Sequence, residues 1–189
     1  MLPQALLVKA LVTQLRATLE AMGSFDQAMA ERAQHHPDCA CFEALPGAGA
    51  ALAPRLLVAF GEQRERYGSA AEVQTSAGIA PVMGRSGKPS WVHWRCQCPK
   101  FMRQTCVDWA AESRQFSFWA RAYYQPQREK GASHQAAVRS LAFTWIRIVF
   151  RCWQTGTLDN ESTYLAALQR QGSPLIPNPA KSTKKGENT

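Results

Sequence analysis

The stretch that decides how this chain is read is Gly78-Ile79-Ala80-Pro81-Val82-Met83-Gly84-Arg85-Ser86-Gly87-Lys88-Pro89-Ser90-Trp91-Val92-His93-Trp94. Its apolar approach, Gly78 to Val82, runs into a segment that a regular helix or strand does not accommodate. Gly84 and Gly87 permit backbone angles closed to other residues, and Pro89 fixes its own φ and lacks an amide donor. Beyond it, Ser90 to Arg95 alternates polar and bulky side chains, the pattern of a short half-buried strand. The loop thus presents one hydroxyl, Ser86, between two cations, Arg85 and Lys88. A hydroxyl so placed suits attack on a phosphate, or grip of one. An ordinary basic surface turn has the same composition.

Upstream, Leu45-Pro46-Gly47-Ala48-Gly49-Ala50-Ala51-Leu52 places a Gly-x-Gly turn before an Ala/Leu-rich helix. This resembles the hairpin of helix-hairpin-helix modules. There, backbone N–H groups bared by Gly47 and Gly49 and the dipole of the next helix hold a phosphate without regard to base. A plain helix–turn–helix is the alternative. Gly61 to Tyr67 reads as charged and solvated, and Ser69 or Ser76 as the cap of a short helix. Residues 3–37 read as one long helix ended by Pro37. Val8, Leu11, Leu15, Thr18, Met22, Phe25 and Met29 alternate at spacings of three and four, a seam of about three heptads. That seam suits either a dimeric coiled coil or packing on the chain's own domain.

Downstream, Pro99 opens a helix through Lys100, Arg103, Cys106 and Trp109. Helical spacing continues from Ser117 to Tyr124, with Tyr124-Gln125-Pro126 and Lys130-Gly131 read as interruptions. Ser133 caps a helix over 134–153 whose apolar stripe is Val138, Leu141, Ala142, Trp145, Ile148, Val149 and Cys152. Arg139, Phe143, Arg147 and Arg151 descend another face at spacings of four. That face suits contact with a nucleic-acid backbone or with solvent. Residues from about 172 are rich in Pro, Ser, Lys and Asn and read as disordered.

The chain has 189 residues, 22 Lys+Arg against 14 Asp+Glu, a net charge of +8 and 46% hydrophobic residues. That suffices for one core, and the charge favours an anionic polymer, nucleic acid before membrane. No apolar run approaches the roughly 18 residues of a membrane span, and no secretory signal is visible, so a cytoplasmic location with six reduced cysteines is expected. Cys39-x-Cys41, after His35 and His36, and Cys96-x-Cys98 have one residue between partners, where zinc pairs prefer roughly two to four. Inert thiols are expected, with no metal bound by this chain.

Taken together, the central loop, LPGAGAALAPRLLVAFGE (45–62), CPKFMRQTCVDWA (98–110) and AVRSLAFTWIRIVFRCW (137–153) resemble one family over roughly residues 3–155. It is the C-terminal transposase domain of the IS110 (IS116/IS902 group) insertion-sequence transposases, described as bridge-RNA-guided serine recombinases. The family's nucleophile is the serine of a Ser-Gly that follows a Gly-Ile/Leu-Ala-Pro segment. The resemblance therefore implies Ser86 as nucleophile, forming a phosphoserine link to DNA and releasing a hydroxyl that can reverse the step.

The resemblance also implies an N-terminal RuvC-like domain with four acidic magnesium ligands, which is not recognisable in these residues. Magnesium is accordingly expected only on that domain, and the chain alone is expected to bind DNA without recombining it. The expected fold is mainly α: a coiled-coil-like arm (1–37), a helical transposase domain (38–155) and a C-terminal extension (156–189). The domain is expected to contain a helix-hairpin-helix-like turn, a short β segment near the catalytic loop, then two further helices. Arg85, Lys88, Lys100 and Arg103 are expected on the scissile strand, and Gly47, Gly49, Arg139 and Arg147 on backbone phosphates. The expected partners are DNA, guide RNA, and either a second copy or a full-length transposase. The rival expectation is a non-catalytic DNA- or RNA-binding remnant that dimerises with full-length transposase.

Overall fold

A computed structural model describes residues 3–85, 87, 90–93 and 95–170, with Arg85, Ser90 and Trp91 described through their backbone. Helices follow in the order α1 (Pro3–Gln34), α2 (Cys39–Glu43), α3 (Gly49–Phe60) and α4 (Ala70–Ser76). A hairpin of β1 (Val82–Arg85) and β2 (Ser90–His93) precedes α5 (Lys100–Phe116), α6 (Phe118–Glu129), α7 (His134–Thr155) and α8 (Glu161–Arg170). The chain is mainly α with one two-stranded sheet, as its patterning predicts.

The sequence punctuates these elements by known chemistry. The Ser69 hydroxyl accepts from the Glu72 amide at the start of α4, while the Glu72 carboxylate accepts from the Gly68 amide at 2.9 Å. This is close to a reciprocal capping box. Ser117 and Ser133 cap α6 and α7 in the same way, accepting from Ala120 N and Ala136 N. Gly156, at φ 65°, closes α7 in the left-handed region that favours glycine. The expected interruption at Pro126 does not occur, because α6 runs through it to Glu129. A proline removes one amide donor, and at Pro126 that loss falls near the end of the helix, where few bonds depend on it. Among the described residues four helices, rather than two, follow the hairpin.

α7 is the central member of the body. Its stripe of Val138, Leu141, Ala142, Trp145, Val149, Cys152 and Trp153 is buried along nearly its full length. α5, α4 and α6 pack around it, and α3 packs on α5. Two aromatic clusters fill the spaces between them. In one, Trp145 lies 4.8 Å from both Trp109 and Trp119 by ring centroids, and its indole N–H donates to Ser113 Oγ at 2.9 Å. In the other, Phe42, Phe60 and Trp153 form a chain with successive centroids 5.7 Å apart, and Trp153 Nε1 donates to Gly61 O at 3.0 Å. Burial of each such ring contributes roughly 1.5–3 kcal/mol.

The 61–67 segment is more embedded than its charges suggest. Tyr67 is buried, the Arg64 guanidinium stacks 4.6 Å from the Trp153 ring, and Arg64 also pairs with Asp38 at 2.5 Å. Neutralisation by Asp38 and the indole face makes this arginine tolerable inside.

α1 behaves differently. At 32 residues it extends about 48 Å, and only its last turns meet the body, with Ala33 buried. Val8, Leu11, Leu15, Met22, Phe25 and Met29 are all exposed, as are Leu7 and Leu19 beside them. Phe25, Ala28, Met29 and Arg32 form one wall of an apolar cleft of about 540 Å³, whose other wall is Pro54, Leu57 and Val58 of α3 with Phe101 of α5.

Candidate nucleic-acid interface

The hairpin is antiparallel, pairing Val82 with His93, Met83 with Val92, Gly84 with Trp91 and Arg85 with Ser90. Ser86 and Lys88, expected as nucleophile and phosphate contact, lie outside the described residues, as does the side chain of Arg85. What is described is the root of the hairpin.

That root is fixed from three directions. Gln74 O accepts from the amides of both Ile79 and Ala80 at 3.0 Å, while the Gln74 side chain donates to Phe143 O of α7 at 2.6 Å. Gly78 takes φ 66°, and an added Cβ there would lie 2.6 Å from Arg103 Nη2 and 2.7 Å from Cys98 Sγ. No side chain fits at such separations, so the glycine is required both for its backbone angle and for the close passage of the strand leaving the hairpin. Arg103 Nη2 in turn donates to the Arg95 carbonyl on that departing strand.

Arg139 of α7 feels the charge of Arg103. Burial, and secondarily the charge of Arg103, lower the pKa of Arg139. Two guanidiniums from different helices within electrostatic reach of one another are a local concentration of positive charge. An anion bound there relieves their repulsion. Lys100 is exposed one turn before Arg103 on α5, on the same helix face by its i, i+3 spacing. Of the expected contacts, the structure thus places Arg103 at the hairpin root, with Lys100 one turn earlier on α5 and Arg139 within reach of its charge.

It does not bring the Gly-x-Gly turn there. Gly47, at φ 75°, packs so tightly on the C-terminal end of α5 that an added Cβ would lie 2.9 Å from Phe116 Cδ2 and 3.2 Å from Ser113 Cα. Trp109 Nε1 holds the same turn through Pro46 O at 3.0 Å. The nine residues from Arg103 to Glu112 span about 14 Å of helix, which separates this turn from the hairpin root. Gly47 is explained by helix packing. Gly49 differs: it is exposed at the start of α3, and no atom lies within 4 Å of an added Cβ. Arg147 is also apart from the root, two turns beyond Arg139 along α7. Phe143, between them, packs against the core and is not a free stacking platform.

The cysteines divide by burial. Burial pushes the thiols of Cys39 and Cys41 up to about 11 and that of Cys106 up to about 12, so all three are protonated at neutral pH and poor metal ligands or nucleophiles. Among the described residues no group of three or more His, Cys, Asp or Glu side chains could hold a metal ion. His36 has structural work instead: Asp38 N donates to its Nδ1 at 3.1 Å, which leaves Nε2–H facing Glu62 at 3.0 Å. No helix among the described residues is long and apolar enough to cross a membrane.

Residues 39–125 match the profile of the transposase IS116/IS110/IS902 family. Over these residues the chain is similar to that family. Two curated relatives extend the match to both sides. A protein named as the transposase of the IS117 mini-circle in Streptomyces coelicolor is 31% identical over 159 residues, covering 84% of this chain and 38% of its own length. An uncharacterised 42 kDa protein of insertion element IS900 from Mycobacterium paratuberculosis is 26% identical over 164 residues, covering 86% and 41%. The chain therefore spans about two fifths of the length of these relatives.

Proposed function

We propose that this chain is a transposase domain that binds insertion-element DNA with the hairpin tip at the scissile phosphate and Ser86 as nucleophile. The observation that carries the reading is the placement of Arg103 at the hairpin root, where its guanidinium meets Gly78 and donates to the Arg95 carbonyl. Ser86 Oγ attacks the phosphorus and gives up its proton, a phosphoserine ester forms, and the bond from phosphorus to one sugar oxygen breaks, that oxygen taking up a proton to leave as a hydroxyl. Arg85 and Lys88, adjacent to Ser86 in sequence, offset the charge that builds on the phosphoryl oxygens. Lys100, Arg103 and Arg139 hold the flanking backbone. Guide RNA is a second nucleic-acid partner by resemblance. Magnesium, also by resemblance, belongs to an acidic domain outside residues 39–125, without which this domain binds but does not recombine.

Arg139→Gln tests the binding half. It is expected to weaken a labelled duplex about tenfold and to reduce the salt slope of log K by about 1, measured by fluorescence anisotropy. An unchanged slope in a folded variant removes Arg139 from the interface.

The exposed α1 seam favours a second reading: a non-catalytic nucleic-acid-binding domain that dimerises with itself or with full-length transposase. An apolar stripe of this length finds its cover on another helix. Sedimentation at micromolar concentration is expected to report a dimer, and Leu11→Glu with Leu15→Glu a monomer. A monomeric parent protein contradicts the seam. The two readings separate at Ser86, which only the first requires.

A further inference from the structure

The far end of α7 carries a second basic feature that the hairpin root does not use. Arg147 and Arg151 lie one turn apart, both exposed, and with Thr144 and Ile148 they form one side of a cleft of about 300 Å³. Its other side is Tyr164 of α8. α8 is held firmly against the body. Glu161 Oε1 accepts from Ser117 Oγ at 2.8 Å and from Trp119 N at 2.7 Å, and the Tyr164 ring stands edge-on to Trp119 with centroids 5.3 Å apart. Tyr164 is therefore a built wall, not a loop residue that happens to lie nearby.

The charge balance in the cleft is positive. Among the described residues, neither arginine takes part in an ion pair. Glu161 is engaged at the start of α6. Asp159 is close enough to Arg151 to feel its charge; burial and then Glu161 raise its pKa, while Arg151 lowers it, and this single carboxylate stands against two guanidiniums. The Thr144 hydroxyl donates to Ser140 O at 3.3 Å and leaves the two guanidiniums and the Tyr164 hydroxyl as the donors available to a ligand.

We propose that this cleft takes a phosphate of a nucleic-acid backbone, gripped by Arg147 and Arg151 with Tyr164 as a third donor. The proposal rests on the nucleic-acid reading above and gives it a second point of contact. Two guanidinium forks can engage both non-bridging oxygens of one phosphodiester. Arg147 is eight residues from Arg139, about 12 Å along α7, and successive phosphates of a duplex strand rise about 3.4 Å. A strand following α7 therefore meets this cleft within a few nucleotides of the hairpin root. Sequence alone shows the two arginines. It does not show that a tyrosine more than ten residues downstream closes them into a cleft.

The test has two arms. In the first, the arginine Nε–Hε resonances of the full chain are followed by NMR during titration with inorganic phosphate. In the second, a fluorescein-labelled duplex is titrated at several salt concentrations with the parent chain, Arg147→Gln/Arg151→Gln, and Tyr164→Phe. Far-UV circular dichroism confirms that each is folded. Phosphate is expected to shift Arg147 and Arg151. The double variant is expected to bind duplex about 10- to 100-fold more weakly with a salt slope lower by about 0.9, and Tyr164→Phe to bind about two- to tenfold more weakly. Phosphate shifts with unchanged duplex binding would mean a site for free phosphate, which overturns the backbone assignment. No shift and no change in slope overturns the cleft as a site. A parent chain that binds no duplex defeats the nucleic-acid reading itself, and the phosphate arm then still decides whether the cleft takes an anion.

Discussion

Trp145→Ala is expected to cost about 3–5 kcal/mol, the largest loss of any single truncation in the body. Trp145 is 2% exposed at the meeting point of α5, α6 and α7, with Trp109 and Trp119 each 4.8 Å away. Truncation leaves a cavity that two rigid indoles cannot collapse to fill, and it removes the donor to Ser113 Oγ. Domains of this size are stable by only about 5–15 kcal/mol, so a large fraction of the total is at stake. Urea unfolding followed by tryptophan fluorescence measures it. Trp145→Phe, which keeps most of the volume, should recover more than half of the loss. A cost below about 1 kcal/mol for the alanine variant would mean that the tryptophan cluster is not the centre of the fold.

Gly78→Ala is the second large effect, and it links fold to site. The added methyl meets Cys98 and Arg103 at under 3 Å in a backbone at φ 66°. The angle costs a non-glycine residue about 1–2 kcal/mol and the overlap about 1–3 more. Gly87→Ala is the internal control, because φ there is 64° but no atom lies within 4 Å of the added Cβ. Gly87→Ala should therefore show the angular cost alone. Gly78→Ala should in addition displace Arg103, and with it lower duplex affinity in the variant that remains folded. Equal stability losses for the two variants would show that the close passage at Gly78 is not a constraint.

How much of this was legible in sequence depends on the kind of signal. The 134–153 helix was readable because its apolar stripe is long and Ser133 caps it, and the structure extends it only to Thr155. The hairpin was half readable: alternation after Pro89 indicates β2, while β1 contains Gly84 and shows no alternation of its own. α1 was readable as a helix but not as an exposed one, since an apolar seam has the same spacing whether it meets its own body or another chain. α6 was read as broken because Pro126 outweighed the local pattern, although the structure carries the helix past it. α8 was missed. Ten residues with a weak stripe carry little signal, and its hold on the body comes from the contacts of Glu161 and Tyr164 with residues more than forty positions earlier.

The site followed the same division. Composition and spacing pointed to Arg103, whereas its seat against Gly78 and the Arg95 carbonyl comes from the close passage of the chain at the hairpin root. Gly47 and Gly49 looked equivalent in a Gly-x-Gly turn. Packing separates them: Gly47 is the glycine that lets a turn press on α5, and Gly49 is the one left open at a helix start.

The most direct measurement on the central claim is covalent trapping at Ser86. The chain would be incubated with magnesium, a nicked duplex of insertion-element ends and the separately expressed acidic domain of a full-length relative. Adducts would then be digested and located by mass spectrometry. The account predicts a nucleotide esterified to Ser86 in the parent chain and no adduct in Ser86→Ala, with duplex affinity the same within about twofold. An adduct on another residue, or one that persists in Ser86→Ala, would contradict it.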